Sequence, residues 1–453
     1  MKGNNRIGMS TTQIIMFGFF ITILIGSILL AMPFSSASGV AVPYLDALFT
    51  ATSATCVTGL VTLPVVTTWS TFGQVVILLL IQIGGMGVIT IMSGLMILLH
   101  KRIGIQDRIL IQDAFNLNSL SGLVRFVKKV IVGTFVVEGM GALLYMTVFV
   151  PNYGMKGIWI SVFTAVSAFC NAGIDIISEN SLCDYAFHPM VNLVTSMLII
   201  IGGIGYVVWW DVIRVLKNWT KWRGRCFKYL TLHSKIAISA TLILIIMGAV
   251  AFFMFEYNNP KTMQSYSLFE RIETSLFQSV TTRTAGFATI PQQDLTNASA
   301  ISSLLLMFIG GSPVGTAGGI KTVTAAVLLA AMISAVLNKN EVSFFGRDIT
   351  KRTVTKAIAV MSMSFIIMFV STLLLAATTK ADALDVVYET VSATATVGLT
   401  RNLTAMLDAW GKMIIIVTMF LGRIGPISLA VAFNTKRESL NIVKNPMEEI
   451  SIG

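Results

Sequence analysis

Four short stretches that each end in a glycine hold the residues whose types and spacing suggest chemistry in this chain. The glycines lie 114, 113 and 112 residues apart, and the two residues before each glycine differ from copy to copy. No side-chain chemistry is therefore common to all four, but four copies can share main-chain carbonyl groups, and a ring of carbonyl oxygens can replace the hydration shell of a cation. The predicted cation-selecting filter consists of Val57, Thr58, Gly59, Asn171, Ala172, Gly173, Thr284, Ala285, Gly286, Thr396, Val397 and Gly398.

The composition predicts an all-α membrane protein that crosses the bilayer several times. The chain has 453 residues, of which 55% are hydrophobic and 12% are charged, whereas soluble domains carry about 25% charged residues. A spanning helix needs roughly 20 apolar residues, and about eight such runs are visible. The first run, Ile14 to Ala31, is long for a signal peptide and lacks an evident cleavage site, so it is interpreted as the first span.

The constant spacing of the glycines predicts four internal repeats. Each repeat is expected to hold an outer helix, a short pore helix and an inner helix, arranged pseudo-symmetrically around one central pore. A pore helix that enters the membrane and turns back is tolerated only where it is buried in protein or lines a water-filled path. A turn of small residues that merely packs helices together is the alternative. The predicted segments are repeats at 11–100, 127–215, 234–337 and 355–433, and a cytoplasmic tail at 434–453.

The distribution of basic residues indicates how the predicted helices are oriented in the membrane. Of the 32 Lys and Arg residues, 23 fall on the side that holds both termini and the loops between repeats, and 7 fall on the other. The positive-inside rule makes the first side cytoplasmic. The net charge of +11 is thus a topology signal, and neither nucleic acid nor an anion is expected as a partner.

The inner helices of three repeats are predicted to be continuous, at Trp69–Leu99, Pro189–Ile213 and Ala409–Phe433.

The third inner segment is too long and too rich in glycine to form one helix. From Ala298 to Leu337 it has 40 residues, which would make a helix of about 60 Å, roughly twice the hydrocarbon thickness. Glycine and proline in its middle break helices, so an intramembrane loop is predicted over 310–320, directly on the cytoplasmic side of the filter. A longer, tilted helix with a kink is the alternative. The residues concerned are Gly310, Gly311, Ser312, Pro313, Gly315, Thr316, Gly318, Gly319 and, after the loop, Lys321.

Two cations inside the membrane region are candidates for function, because intramembrane charges are costly. Arg423 occupies the place that Gly85 and Gly203 hold in the first two repeats. We expect it to face the pore and bond to carbonyls of the 310–320 loop, holding the loop closed; a structural ion pair with a buried carboxylate is the alternative. Lys321 is expected to cap the broken helix or to extend toward the cytoplasmic interface.

Charges near the filter form a second group. Arg283 lies three residues before the third glycine, and it is hypothesised to pair with Glu138, a lone carboxylate in the second outer helix. The alternative is that Arg283 bonds to carbonyls at the end of its own helix. Asp175, Glu179 and Asp294 are expected outside the membrane, where they could attract cations to the mouth of the pore.

Four units of outer helix, pore loop and inner helix, with one filter glycine each, resemble the Trk/Ktr superfamily of potassium uptake proteins, and the early first span resembles the shorter membrane subunit of the KtrB type. The resemblance covers about residues 11 to 433. It implies potassium transport in the cell membrane, often with sodium dependence, and a homodimer with one pore per subunit. It also implies that the 310–320 loop is the gate, and that a cytoplasmic nucleotide-binding ring of the KtrA type regulates it.

Two other classes of function remain open at this stage. An alternating-access carrier would predict inverted repeats, whereas these repeats run parallel. A membrane enzyme or pump-associated subunit would need clustered intramembrane acids or a nucleotide site; Ile320 stands where a P-loop requires glycine before its lysine. The three histidines and four cysteines have no metal-binding spacing, and no catalytic activity is expected.

Overall fold

The computed structural model describes residues 11–99, 104–114, 122–219, 225–339 and 341–425, and these residues are mostly helical. Each of the four repeats begins with a long outer helix made almost entirely of apolar residues, many of which are exposed on the surface of the protein. Four such helices are long and apolar enough to cross a membrane. The outer helices are Thr11–Ala31, Leu123–Tyr153, Leu232–Glu256 and Lys351–Thr378.

Each outer helix is followed by a short helix that is buried inside the protein, which we call the pore helix. The pore helices are rich in Ala, Ser and Thr, so they pack closely without large side chains. They have 13 to 15 residues, which is too short to span a bilayer. Their bounds are Tyr44–Cys56, Lys156–Cys170, Leu268–Thr281 and Ala383–Ala395.

The inner helices of the first two repeats are broken, and the prediction of continuous helices there is wrong. Thr71–Met86 and Val88–Leu98 meet at 99°, and so do Pro189–Gly203 and Tyr206–Leu216. The physical reason is the backbone at Gly87 and Gly205, whose φ values of +86° and +95° lie outside the right-handed helical region. Only glycine adopts such angles at low cost. If each bent pair counts as one span, the described residues hold up to six spans by length and composition.

The other two inner segments differ from the bent pairs and from each other. In the third repeat Asn297–Phe308 and Thr322–Val336 are helical, and the chain between them, 309–321, forms a loop rather than a kinked helix. We call it the glycine-rich loop. In the fourth repeat Ala409–Ile424 ends at Gly425, with φ +88°. The predicted continuation to Phe433 and the tail at 434–453 lie outside the described residues.

The four repeats close into a ring. Each inner helix packs against the pore helix of the following repeat, and the fourth inner helix packs against the pore helix of the first. The pore helices therefore stand side by side around a common centre, with the outer helices outside them.

Short elements connect these helices. Between the third and fourth repeats a two-stranded antiparallel hairpin pairs Val342–Phe344 with Arg347–Ile349. The short α-helices are Val65–Thr68, Ile105–Ala114 and Cys226–Tyr229, and the 3₁₀ helices are Pro33–Ser35, Cys183–Tyr185, Gln292–Asp294 and Thr404–Met406.

Candidate functional site

The four repeated glycines meet at the centre of the ring. A Cβ built on Gly59 would lie 3.2 Å from the Cα of Gly398, and one built on Gly286 would lie 3.1 Å from the Cα of Gly173. All four have positive φ, between +65° and +95°. The close approach and the backbone angle together explain why these positions hold glycine.

Carbonyl oxygens accompany the glycines around the ring. A Cβ on each glycine would fall within 2.5 Å of the carbonyl oxygen that precedes the glycine of the next repeat. The order runs once around, from the first repeat to the fourth and back to the first, so one carbonyl lies beside each glycine. The pairs are Gly59 with Ala172, Gly173 with Ala285, Gly286 with Val397, and Gly398 with Thr58. We call these eight residues the glycine ring.

The residue two positions before each glycine is left-handed in every repeat. Val57, Asn171, Thr284 and Thr396 have φ between +51° and +67°. This conformation is uncommon for residues other than glycine and costs most for β-branched ones such as Val57. The sequence analysis missed it because these four residues share no side-chain type. The repeated strain is the kind that is stored at functional sites.

Hydroxyl groups hold the segments of the glycine ring in two different ways. In the first and fourth repeats Ser53 and Ser392 accept hydrogen bonds from the amides of the ring glycines, both over 3.0 Å. In the second and third repeats Ser167 and Thr281 instead donate to carbonyls just beyond the glycine, over 2.5 and 2.6 Å. The Ser/Thr content of the pore helices thus serves to fix the backbone.

Three further hydroxyl oxygens near the ring lack a protein partner. The side-chain oxygens of Thr58, Thr284 and Thr396 are buried and have no hydrogen-bond partner among the described residues. Buried polar atoms are usually satisfied by protein or by ordered water, so these three are unusual. The Thr396 oxygen faces Gly318, and the Thr284 methyl group faces Gly310.

A cavity of about 300 Å³ opens on one side of the glycine ring, and we call it the mouth cavity. All four ring glycines line it, together with Asp175 and Glu179, two of the acids for which the sequence analysis predicts a role in attracting cations. Asp294 is not among its lining residues and lies instead 3.8 Å from Lys261. Burial raises the pKa of Asp175 to about 6, against the effect of two backbone amides that donate to its carboxylate.

The glycine-rich loop crosses the other side of the ring and is bonded to the second repeat. Ser312 and Thr316 donate from their amides to the carbonyls of Gly203 and Gly202, over 2.8 and 3.1 Å. The Thr316 hydroxyl donates to the carbonyl of Phe169 and accepts from the Asn171 side chain, over 3.0 and 2.7 Å. The loop is therefore fixed to the bend of an inner helix and to a left-handed residue beside the ring.

The loop also touches the fourth repeat. A Cβ on Gly318 would lie 1.9 Å from the Thr396 hydroxyl, so nothing larger than glycine fits there. Lys321 donates to the carbonyl of Ala317 over 2.6 Å, and its side chain thus bonds within the loop. Lys321 begins the helix that follows the loop, but no side-chain cap is formed.

Arg423 connects three repeats. Its guanidinium donates to the carbonyl of Thr316 in the glycine-rich loop over 2.7 Å, and to the carbonyl of Gly84 in the first inner helix. None of the ion pairs within the described residues includes it, so the alternative of a structural ion pair is wrong. Arg423 and Lys321 both line a second cavity of about 380 Å³ on this side of the ring.

The expected pairing of Arg283 with Glu138 is wrong. Arg283 donates to the carbonyl of Gly310 over 3.1 Å, whereas Glu138 accepts from Gln82 over 3.1 Å and lies 3.8 Å from the sulfur of Cys170. Neither joins an ion pair within the described part of the chain. The bond to Gly310 could not be foreseen from the sequence, because the two residues meet only where the loop folds back on the ring.

The inner helices pack closely against the pore helices at three equivalent glycines. A Cβ on Gly84, Gly202 or Gly422 would lie 1.9 to 2.2 Å from a carbonyl near the end of a pore helix. The inner helices therefore support the ring directly from behind. Within the described ranges no group of three His, Cys, Asp or Glu side chains could hold a metal ion.

Comparisons with known proteins give a consistent result. Residues 4–445 match the family described as TrkH: Cation transport protein. The chain is 40% identical over 442 residues to the Ktr system potassium uptake protein B of Bacillus subtilis (strain 168), covering 97% of this chain and 96% of that protein. It is 38% identical over 460 residues to the potassium/sodium uptake protein NtpJ of Enterococcus hirae, covering 100% and 99%.

A solved structure shares the fold. The crystal structure of the potassium transporter TrkH from Vibrio parahaemolyticus aligns with a TM-score of 0.75 at 17% sequence identity, covering 96% of this chain and 87% of that one. At this identity the likeness concerns the arrangement of helices. Together with the long apolar helices, the matches indicate a membrane protein.

Proposed function

Because the chain belongs to the TrkH family of cation transport proteins, which confirms the resemblance drawn from its motifs, we propose that it takes up potassium across the cell membrane through a central pore. Two relatives that align over nearly their whole length are named as potassium uptake proteins. The proposal does not invoke a catalytic step, and potassium is the transported ion rather than a bound cofactor.

The observation that carries the proposal is the glycine ring. One carbonyl from each repeat lies beside the glycine of the preceding repeat, and a ring of four such carbonyls can replace the hydration shell of a cation. We propose that these carbonyls, with the residues just before them, form the filter that selects the ion. Since each repeat contributes a different side chain but a similar backbone, the filter relies on main-chain oxygens.

The opposite side of the ring is proposed to be the gate. The glycine-rich loop crosses there and is bonded to the second repeat by its backbone and to Arg423 through Thr316. These bonds would hold the loop under the filter in a closed state. Opening requires the loop to move away from Arg423 while the glycine ring stays in place, so the gate and filter are separate parts.

We propose an orientation in which the mouth cavity faces outward and the glycine-rich loop faces the cytoplasm. The distribution of Lys and Arg supports this, since it places both termini in the cytoplasm. Eight crossings would result if each of the four repeats contributes two spans, with the broken third and the shorter fourth inner segments crossing as the bent pairs do. The acids of the mouth cavity would then meet incoming cations first.

Sodium dependence, a regulator and a dimer are further parts of the proposal. A relative named for both potassium and sodium supports a role for sodium as second ion. The relatives named as parts of a Ktr system support a cytoplasmic regulatory ring of the KtrA type. A homodimer with one pore per subunit follows from the same family resemblance.

The experiment that tests the function is ion flux in proteoliposomes. Purified protein should take up potassium down its gradient, and Gly286→Ser should reduce the preference for potassium over sodium by placing a side chain beside the Val397 carbonyl. Growth of a strain without its own potassium uptake systems, at low potassium, gives an independent test. No potassium flux by the wild-type protein, with or without a regulator, would disprove the proposal.

A further inference from the structure

Arg283 lies between a pore helix and the glycine ring. The third pore helix ends at Thr281, and Arg283 is followed by Thr284 at φ +67° and then by Gly286 at φ +82°. Both angles are in the left-handed region, and Arg283 lies in the same short segment, three residues before the ring glycine. Any force on Arg283 therefore acts directly on residues that form the ring.

The guanidinium of Arg283 is held by a single described contact. The residue is 7% exposed, and its Nη2 donates to the Gly310 carbonyl over 3.1 Å. Its Nε has no hydrogen-bond partner within the described residues. A buried charge is costly when it is poorly compensated, and hydrogen bonds from charged donors are among the strong ones. The bond to Gly310 therefore determines where this side chain points.

Gly310 is one of the points where the glycine-rich loop touches a segment that carries the ring. A Cβ on Gly310 would lie 2.8 Å from the side chain of Thr284 and 2.2 Å from the carbonyl of Gly318. A backbone bridge joins Ile309 to Ile320, so the two ends of the loop are paired beside this contact. A shift of Gly310 would move both ends of the loop together.

Space beside Arg283 allows a second arrangement. A small cavity of about 10 Å³ is lined by Arg283, Thr241, Gly203 and Gly311, among others, and the Thr241 hydroxyl also has no described partner. A cavity of this size is near the lower limit for one water molecule. Such a water could accept from Nε, so the bond to Gly310 can break without leaving the guanidinium wholly unsatisfied.

We propose that Arg283 is a positioning residue that couples ion occupancy of the glycine ring to the conformation of the glycine-rich loop, through its bond to the Gly310 carbonyl. The inference rests on the proposed function, because it needs potassium to enter the ring. Arg423 bonds to the loop at Thr316, whereas Arg283 links the segment that carries Gly286 to Gly310, near the start of the loop. The two arginines therefore bond to different parts of one loop, Arg283 near its start and Arg423 near its middle.

Hydrogen exchange of the full chain in lipid nanodiscs tests the coupling. In wild-type protein, potassium in place of choline should slow amide exchange both in the ring peptide that contains Gly286 and in the loop, 309–321. In Arg283→Met, which removes the donor, the response of the loop to potassium should fall by roughly tenfold, as expected for the loss of a charged hydrogen bond. The response of the ring peptide should remain.

Arg283→Lys is the matched variant, because it keeps a charged donor on a side chain of nearly the same length. We expect it to retain most of the loop response. A loop response in Arg283→Met that equals wild type would overturn the proposal, and so would a loss in Arg283→Lys as large as in Arg283→Met, since a donor to the Gly310 carbonyl would then not be what matters. If Arg283→Met does not fold, Arg283→Gln replaces it, because the glutamine amide ends near the position of Nε and does not reach the Gly310 carbonyl; an undiminished loop response in Arg283→Gln then overturns the coupling.

Failure of the proposed function gives a different pattern. Wild-type protein would then show neither potassium flux in proteoliposomes nor a change of exchange in the ring peptide. Failure of the coupling alone would leave both of these intact and would alter only the comparison between the loop of wild-type protein and the loop of the variants.

Discussion

The glycine ring has the same backbone in all four repeats, whereas the inner helices beside it differ from repeat to repeat. In the ring all four repeats have the same backbone: a left-handed residue, one residue with its carbonyl against the preceding repeat, and a glycine with positive φ. At the inner helices the repeats differ, since two bend at a glycine, one opens into a loop and one carries Arg423. The protein is nearly symmetric at the ring and asymmetric just beside it.

The difference follows from what each region must do. An ion in the ring is surrounded on all sides, so each repeat must supply an equivalent oxygen. A gate needs only one segment that moves, and a bistable element works best when its neighbours are rigid. The inner helices bent at Gly87 and Gly205 remain helical on both sides of the bend, whereas among the described inner segments the glycine-rich loop lies between two helices without helical structure of its own.

The largest effect on potassium uptake is expected when one methyl group is added to a ring glycine, which breaks the symmetry of the ring. Gly398→Ala would place a Cβ 2.2 Å from the Thr58 carbonyl at φ +95°, and we expect potassium uptake in proteoliposomes to fall at least about tenfold, since the methyl group would push a proposed ion ligand out of position. Gly39→Ala is the control, because Gly39 has φ +72° and nothing within 4 Å. Equal uptake in both variants would show that close approach in the ring is unimportant.

The next effect concerns the asymmetric region. Arg423→Ala removes the bonds to Thr316 and Gly84, and each hydrogen bond from a charged donor contributes about 1.5–3 kcal/mol. We expect potassium flux without any regulator to rise several-fold, because the closed position of the loop loses support. Arg352→Ala, at an exposed position, should leave the flux unchanged. Flux and regulation in Arg423→Ala equal to wild type would contradict the role of Arg423.

The comparison of these two regions also shows what a sequence can predict. The glycines of the ring are visible because they recur at constant spacing, and the glycine-rich loop is visible because a 40-residue segment with five glycines and a proline cannot remain helical. The bends at Gly87 and Gly205 were missed because an apolar run has the same composition whether it is straight or bent. The signal was present in the shared Gly-Gly-x-Gly pattern of both repeats.

Side-chain partners were harder to predict than the backbone. Arg423 was expected to meet carbonyls of the loop, and the structure shows it bonded to Thr316 and, unexpectedly, to Gly84. Arg283 was assigned to Glu138 because both were isolated charges, but its partner is the carbonyl of Gly310, 27 residues further along the chain. Such contacts depend on how the chain folds back in three dimensions, and no local pattern encodes them.

A smaller effect is expected at the mouth cavity, where the repeats again differ. Asp175 belongs to the second repeat, and its pKa is raised to about 6 by burial. Above this pH the carboxylate is charged and attracts cations, and below it the group is neutral. We expect uptake at low potassium to fall about two- to threefold as external pH drops from 7 to 5, and Asp175→Asn to lose most of this dependence. Glu179→Gln, at an exposed acid of the same cavity, should keep it.

The smallest effect concerns the closure of the ring between the fourth and first repeats. Lys412 pairs with Asp46, which also accepts from Thr62 over 2.7 Å, and the two side chains are 18% and 10% exposed. Losing one partner of a mostly buried pair leaves an unpaired charge. Asp46→Asn should therefore lower the thermal midpoint by a few degrees while uptake stays within about twofold, because the glycine ring itself is untouched.

A double substitution separates the pair from its surroundings. In Asp46→Asn/Lys412→Met the unpaired charge is gone, so the thermal midpoint should recover part of the loss, and the difference between single and double variants measures the coupling. Lys261→Met removes an ion pair whose lysine is 71% exposed and should not change the midpoint, since exposed pairs contribute little. If the double variant is no more stable than Asp46→Asn, the hydrogen bond from Thr62 rather than the ion pair closes the ring at this junction.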